Sequence, residues 1–198
     1  MAKRIGVLAL QGAFAEHIAI LRQLGAEAVP VRLPEELQGL DGLVIPGGES
    51  TTISRLMASY NLTEPIKRLG QDGLPILGTC AGMILLAKRV CGLDQHPIWV
   101  MDIEVRRNAF GRQVDSFETD LAISALGGQP FHAVFIRAPW IEKTGPGVEI
   151  LARLPDATAV AAREGNLVAS AFHPELTADY RFHDYFLNII NGVSRDSP

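Results

Sequence analysis

The fold is decided by the stretch Leu74-Pro75-Ile76-Leu77-Gly78-Thr79-Cys80-Ala81-Gly82, residues 74–82. Its apolar first half predicts a short buried strand, and the apolar run that follows predicts a helix. A strand that turns sharply into a helix around one reactive side chain is a nucleophile elbow. Gly78 and Gly82 flank Cys80 at a distance of two residues, so they tolerate a strained backbone and leave the thiol accessible. The start of a helix also favours the thiolate, which is the nucleophilic form of cysteine.

Strand and helix patterns alternate through the first half of the chain. Strands are predicted at 4–10, 27–31, 42–45 and 75–78, and helices at 14–24, 61–69 and 82–91. A further helix is predicted to begin at a cap formed by Ser50 or Thr51. This alternation predicts an α/β fold, a three-layer sandwich with a mostly parallel central sheet between two layers of helices. Strand patterns then dominate at 98–106, 113–118, 133–137, 148–152, 158–163 and 167–172, and a last helix is predicted at 179–190. We therefore expect one domain, 1–198, in which an antiparallel strand patch extends the parallel sheet.

Composition excludes several classes of function. Apolar residues make up 47% of the 198 residues, which is enough for a large core, and the net charge of −4 argues against nucleic-acid and membrane partners. The chain contains no apolar run near the ~18 residues that span a bilayer. Two cysteines are too few for a disulfide framework, so a reducing, cytoplasmic setting is predicted, with Cys91 late in a helix and in the core. The histidines outside residue 173 lack metal-ligand spacing, which predicts no metal site.

Two further segments carry groups that could act with Cys80. His173 follows the predicted strand 167–172, and the carboxyl ends of parallel strands meet at one sheet edge, where α/β proteins bind ligands. An imidazole there can act as general base and acid, and Glu175 can orient it. The loop Pro46-Gly47-Gly48-Glu49-Ser50 follows another strand, and its glycines allow backbone N–H groups to point into a site, as an oxyanion hole requires.

These segments resemble the class I glutamine amidotransferases, and within them the family of glutaminase subunits of pyridoxal 5′-phosphate synthase. The resemblance covers residues 10–177 in order and spacing. Besides the cysteine segment already quoted, it rests on Leu10-Gln11-Gly12-Ala13-Phe14-Ala15-Glu16-His17, Pro46-Gly47-Gly48-Glu49-Ser50-Thr51-Thr52, Arg107-Asn108-Ala109-Phe110-Gly111-Arg112-Gln113, Ser116-Phe117-Glu118, Phe135-Ile136-Arg137-Ala138-Pro139 and Phe172-His173-Pro174-Glu175-Leu176-Thr177.

The resemblance implies a flavodoxin-like fold and a reaction, hydrolysis of L-glutamine to glutamate and ammonia without a cofactor. The ammonia would pass to a synthase subunit that builds pyridoxal 5′-phosphate. Carried over by motif, Cys80 is the nucleophile, His173 the base and acid, and Glu175 the orienting carboxylate. The same carry-over assigns glutamine binding to Gly48, Glu49, Ser50, Arg107, Ile136 and Arg137. Backbone N–H groups of Gly48 and Ala81 suit the oxyanion, and either Arg107 or Arg137 suits the substrate α-carboxylate.

Two other hypotheses fit the same residues. The chain could be a cysteine hydrolase or peptidase on a similar sheet, for which glutamine is no special substrate. It could also be a non-catalytic binding or redox-sensing module in which Cys80 only oxidises. A complete set of nucleophile, base and orienting group favours the amidotransferase hypothesis.

Overall fold

The structure is a computed structural model that describes residues 2–92, 98–107 and 116–193. One half of its main sheet is formed by five parallel strands, numbered along the chain: β1 (Arg4–Leu8), β2 (Glu27–Val31), β3 (Gly42–Ile45), β4 (Ile76–Thr79) and β12 (Leu167–Ser170). They lie in the order β2-β1-β3-β4-β12. This is the doubly wound order whose ligand sites lie at the carboxyl ends of the strands.

The other half of the sheet is mostly antiparallel and continues from β12 in the order β11-β9-β6-β5, with β10 paired to β11. Only the β5–β6 pair in this half is parallel. The strands are β5 (Ala87–Val90), β6 (Met101–Arg106), β9 (Trp140–Thr144), β10 (Glu149–Arg153) and β11 (Ala159–Glu164). A separate antiparallel hairpin is formed by β7 (Ser116–Leu121) and β8 (Phe131–Ile136). The predicted antiparallel patch is confirmed; part of it is this second, two-stranded sheet.

Five α-helices accompany the sheet in the described residues: α1 (Phe14–Gln23), α2 (Ser50–Ser59), α3 (Thr63–Gln71), α4 (Ala81–Leu86) and α5 (Arg181–Ile190). Every residue of β3, β4 and β12 is buried, as expected for central strands that are covered on both faces. The predicted α/β architecture is therefore confirmed. No helix in the described part of the chain has the length and apolar character needed to span a bilayer.

The helix predicted at 82–91 is wrong in its second half. The chain leaves the helix after Leu86 and continues as β5, which pairs in parallel with β6. Ala87 and Val90 face the interior, whereas Lys88 and Arg89 are exposed beside acidic groups of β6. Local helix propensity is weak, and here the tertiary pairing overrides it. Cys91 consequently follows a strand and is only half-buried, with its Sγ 3.4 Å from Glu104 Oε1.

The structure also differs from the sequence predictions at a helix start and at one strand. Helix α2 begins at Ser50 but is capped by Glu49, whose carboxylate accepts hydrogen bonds from the backbone N–H groups of Thr51 and Thr52. Strand β9 was not predicted, because its five residues lack a clean alternation of buried and exposed positions. The predicted strand at 113–118 is described only from residue 116 onward.

The β7–β8 hairpin is fixed to the rest of the molecule by aromatic packing. Phe131 on β8 lies 5.5 Å from Phe172 and 6.0 Å from Phe182 of α5, measured between ring centroids. All three rings are fully buried. The backbone N–H of His173 also donates to Val134 O at 2.8 Å. The hairpin therefore holds the segment that follows β12 in place.

Candidate active site

A cavity of about 320 Å³ opens at the carboxyl ends of β3, β4 and β12. The parallel register places Ser170, the last residue of β12, beside Thr79, the last of β4. His173 and Cys80 therefore leave the sheet at the same edge. The cavity is lined by Gln11, Gly48, Glu49, Ser50, Cys80, Ala81, Ile84, Arg107, Ile136, Arg137 and His173. Every residue proposed from the sequence lies on this wall except Glu175, which is buried behind His173.

Cys80 forms the turn between β4 and α4 in a strained backbone conformation. Its φ of 49° and ψ of −100° lie in a region that residues other than glycine rarely adopt. The Cys80 N–H donates to Ser170 O at 2.7 Å, which ties the turn to β12. Cys80 is only 7% exposed, and its Sγ lies 4.0 Å from Ile136 O. The elbow predicted from the sequence is present in the structure.

The two glycines that flank Cys80 are needed for packing as well as for access. A Cβ on Gly82 would lie 2.0 Å from Ile45 O, and a Cβ on Gly78 would lie 2.7 Å from the Gly82 carbonyl carbon. Both distances are far shorter than a van der Waals contact. Helix α4 can therefore lie directly against β3 and β4 only because these positions carry no side chain.

His173 contacts both Cys80 and Glu175. Its Nδ1 lies 2.7 Å from Glu175 Oε1, and the Glu175 side chain is fully buried. Burial opposes the charged imidazolium, but hydrogen bonds with Cys80 and Glu175 outweigh it and raise the pKa of His173 to about 10. The ring therefore holds its proton at neutral pH. This arrangement of thiol, imidazole and carboxylate suits nucleophilic attack followed by proton donation to a leaving group.

The glycine-rich loop after β3 closes one side of the cavity. Glu49 caps α2, and hydrogen bonds from Thr52 and Thr51 lower the pKa of its carboxyl to about 2. Arg107 Nη2 lies 3.3 Å from Glu49 Oε1, and Arg107 Nη1 lies 3.4 Å from Thr51 Oγ1. The guanidinium thereby reaches the cavity wall from the end of β6. Residues 108–113 of the arginine segment quoted above lie outside the described residues.

Ile136 and Arg137 approach the cavity from the end of β8. Arg137 has a φ of 42°, so the chain turns sharply there, and both residues are exposed. The cavity thus has an arginine on each of two elements, together with an apolar side chain and a backbone carbonyl near the thiol. Such a set suits a small ligand that carries a carboxylate at one end and an uncharged polar group at the other.

The sequence pattern of the SNO glutamine amidotransferase family matches residues 7–192. The chain belongs to this family. It is 62% identical over 188 residues to the pyridoxal 5′-phosphate synthase subunit PdxT of Dehalococcoides mccartyi, covering 94% of this chain and 96% of the relative. The PdxT subunit of Moorella thermoacetica is 58% identical over 187 residues, covering 94% and 99% of the two chains. A solved structure described as a glutamine amidotransferase superposes with a TM-score of 0.89 at 49% identity, covering 94% of this chain and 98% of that one.

This member of the SNO glutamine amidotransferase family also has site neighbours that sequence reasoning missed. The Gln11 side-chain oxygen accepts the Glu49 N–H at 2.8 Å, and Ala13 N–H donates to Gly47 O at 3.1 Å. Both bonds hold the glycine-rich loop against the segment that follows β1. Gln11 and Ala13 stand within one of the quoted segments, but no spacing rule connects them to a loop more than 30 residues away.

Two buried histidines were also missed. His17 Nδ1 lies 2.8 Å from His183 Nε2, and His17 Nε2 lies 3.2 Å from Thr79 Oγ1 and 3.3 Å from Glu175 Oε2. Both histidines are fully buried. They stand on α1 and α5, 166 positions apart in the sequence, so their contact could not be predicted from spacing.

Proposed function

We propose that this chain is a glutaminase subunit that hydrolyses L-glutamine to L-glutamate and ammonia and delivers the ammonia to a pyridoxal 5′-phosphate synthase subunit. The observation that carries the proposal is the contact of Cys80, His173 and Glu175 in a cavity with two arginines, in a chain closely related to PdxT subunits. The reaction and the partner are those that the sequence resemblance implied.

The first half of the reaction forms a thioester. The Cys80 thiolate attacks the side-chain amide carbon of glutamine, and the negative charge moves to the amide oxygen. Backbone N–H groups of Gly48 and Ala81 stabilise that oxygen, and each such donor is worth ~3–4 kcal/mol in the transition state. His173 gives its proton to the amide nitrogen, the C–N bond breaks, and ammonia leaves. The high pKa of His173 keeps this proton in place until it is needed.

The second half regenerates the enzyme. Neutral His173 takes a proton from water, and the resulting hydroxide attacks the thioester carbon. The C–S bond then breaks, glutamate leaves, and Cys80 is restored. Glu175 accepts the Nδ1–H hydrogen bond from His173 throughout, which keeps the opposite ring nitrogen directed at the thiol and the water.

Substrate binding is assigned to the remaining wall of the cavity. Arg107 and Arg137 provide positive charge for the α-carboxylate, and Glu49 provides negative charge for the α-ammonium group. Gly48, Ser50 and Ile136 shape the space around the side chain of glutamine. A cytoplasmic location is part of the same proposal, and the two free cysteines support it because thiols persist in a reducing compartment.

A glutaminase assay with and without the synthase subunit tests the proposal. We expect glutamate release that rises when the partner is present and that is abolished in Cys80→Ala. Turnover of γ-glutamyl peptides or general peptides at rates equal to glutamine would instead support the peptidase hypothesis. Unchanged glutamine turnover in Cys80→Ala would contradict the assigned nucleophile.

A further inference from the structure

A chain of buried polar side chains continues from Glu175 away from the cavity and ends at His183. We propose that His17 is a positioning residue for the reaction, donating its Nε2–H to the second carboxylate oxygen of Glu175, and that His183 fixes His17 in the tautomer that can do so. The inference rests on the proposed function in one respect: it takes Cys80 as the nucleophile, His173 as its base and acid, and Glu175 as the carboxylate that orients His173.

The contacts around Glu175 require a hydrogen-bond donor at its second carboxylate oxygen, Oε2. Glu175 Oε1 is used by His173, but Oε2 is buried, and no hydrogen bond of good geometry reaches it from any described residue. His17 Nε2 approaches this oxygen obliquely at 3.3 Å, and the same nitrogen is hydrogen-bonded to Thr79 Oγ1 at 3.2 Å. A buried carboxylate oxygen without a donor is strongly destabilising. A His17 N–H shared between Thr79 Oγ1 and this oxygen would satisfy it.

The tautomers of His17 and His183 follow from the contacts of His183, at the far end of this series of side chains. If His17 carries its proton on Nε2, its Nδ1 accepts from the Nε2–H of His183 at 2.8 Å. His183 Nδ1 is then a bare nitrogen, which agrees with its being buried without a hydrogen-bond partner in the described residues. The opposite arrangement would leave a buried N–H of His183 without an acceptor. It would also set a lone pair of His17 against a lone pair of Glu175.

The charges in this region favour a neutral pair of histidines. Burial, and then the neighbouring His183 and His173, lower the pKa of His17 well below its usual value, and burial lowers the pKa of His183 to about 4. The groups that face His17 are Thr79 from β4, Glu175 and His173 from the segment after β12, and His183 from α5. A neutral donor stabilises the Glu175 carboxylate without adding a charge that would repel the imidazolium of His173.

This role predicts a pH effect on the reactivity of Cys80. Removal of the His17 N–H leaves Glu175 Oε2 buried with no donor beside it, which makes the carboxylate a less effective hydrogen-bond partner for His173. A less effective partner supports the imidazolium of His173 less well, so alkylation of Cys80 slows on the acid side of its pH profile. One hydrogen bond to a charged group corresponds to about one pH unit, or a tenfold lower alkylation rate on the acid side.

The test measures alkylation of Cys80 by iodoacetamide from pH 4.5 to 8, in a Cys91→Ala background so that one thiol reacts. We expect His17→Leu to raise the acid-side midpoint by about one pH unit, and to lower kcat for glutamine with KM within twofold. His17→Gln keeps an N–H near the same position, so it should recover at least half of the shift. His183→Phe should move the midpoint in the same direction by a smaller amount.

Leu21→Ala is the matched control, because Leu21 is buried on the same face of α1, one turn after His17. It weakens packing but leaves the donor in place, so it should lower the melting temperature without moving the midpoint. An unshifted midpoint in folded His17→Leu, or an equal shift in Leu21→Ala, would overturn the inference. Absence of glutamine turnover in the wild type would contradict the proposed function and leave the alkylation test valid.

Nitrogen-15 NMR gives a second test, which compares the unsubstituted protein with the Glu175→Gln variant. We expect His17 and His183 both to be neutral at pH 7 and protonated on Nε2, and the His17 proton signal to move when Glu175 is replaced by Gln. A Nδ1-protonated or charged His17 would refute the proposed donor role.

Discussion

Gly47 leaves the space that the His173 ring occupies. An ideal Cβ at this position would lie 2.4 Å from His173 Cε1, 2.9 Å from His173 Nδ1 and 3.5 Å from Cys80 Cβ. The φ of Gly47 is not positive, so alanine is compatible with the backbone there. The substitution Gly47→Ala therefore acts on the imidazole, not on the main chain.

The size of the effect follows from these distances. An ordinary van der Waals contact to Cβ begins near 3.4 Å, so the ring must move by roughly 1 Å. That movement strains the hydrogen bond to Glu175 and the contact with Cys80. Misplacement of a reacting group by about 1 Å lowers the rate ~100-fold, so we expect kcat/KM for glutamine to fall by this factor.

The assay is glutamine hydrolysis by the complex with its synthase partner, with the rate of Cys80 alkylation measured in parallel. Gly128→Ala is the control, because a Cβ there meets no atom within 4 Å and its φ is not positive. It should match the wild type in both assays. If Gly47→Ala were folded and hydrolysed glutamine within threefold of the wild-type rate, the inferred crowding of the imidazole would be refuted.

Three further predictions use other parts of the structure. Gly82→Ala would set a Cβ 2.0 Å from Ile45 O, a backbone atom that cannot move cheaply, and should reduce the free energy of unfolding by roughly 3 kcal/mol; a urea midpoint equal to that of the wild type would contradict the close packing of α4. Burial lowers the pKa of His183 to about 4, so between pH 6.5 and about 4 His183 is protonated in the unfolded chain but not in the folded one. The free energy of unfolding should therefore decrease by about 3 kcal/mol as the pH is lowered through this range. Urea titrations of His183→Phe should give a free energy of unfolding that depends less steeply on pH than that of the wild type. An unchanged pH dependence would count against a neutral buried histidine. Arg107→Lys loses the planar fork that contacts Glu49 and Thr51, and should raise KM for glutamine about tenfold with kcat within twofold; an unchanged KM would remove Arg107 from the substrate site.

The parallel part of the fold could be predicted because its information is local. β2 and β3 have the predicted bounds, since apolar runs between turn residues leave few alternatives. The second half of the predicted 82–91 helix was wrong because residues 87–90 are stabilised as a strand by β6, more than ten residues further along the chain. Strand β9 likewise depends on its partners β6 and β11 and not on its own pattern.

The sequence by itself determined which chemical groups this protein brings to its sheet edge. A cysteine between spaced glycines and a histidine after a buried strand are local patterns, and the topology of a parallel sheet joins them. Only the tertiary structure decided what surrounds those groups: Gly47 against the imidazole, and the His17–His183 pair behind Glu175. The physical reason is that a strand end is fixed by neighbours in the chain, whereas a buried hydrogen bond between α1 and α5 exists only after the core has packed around it.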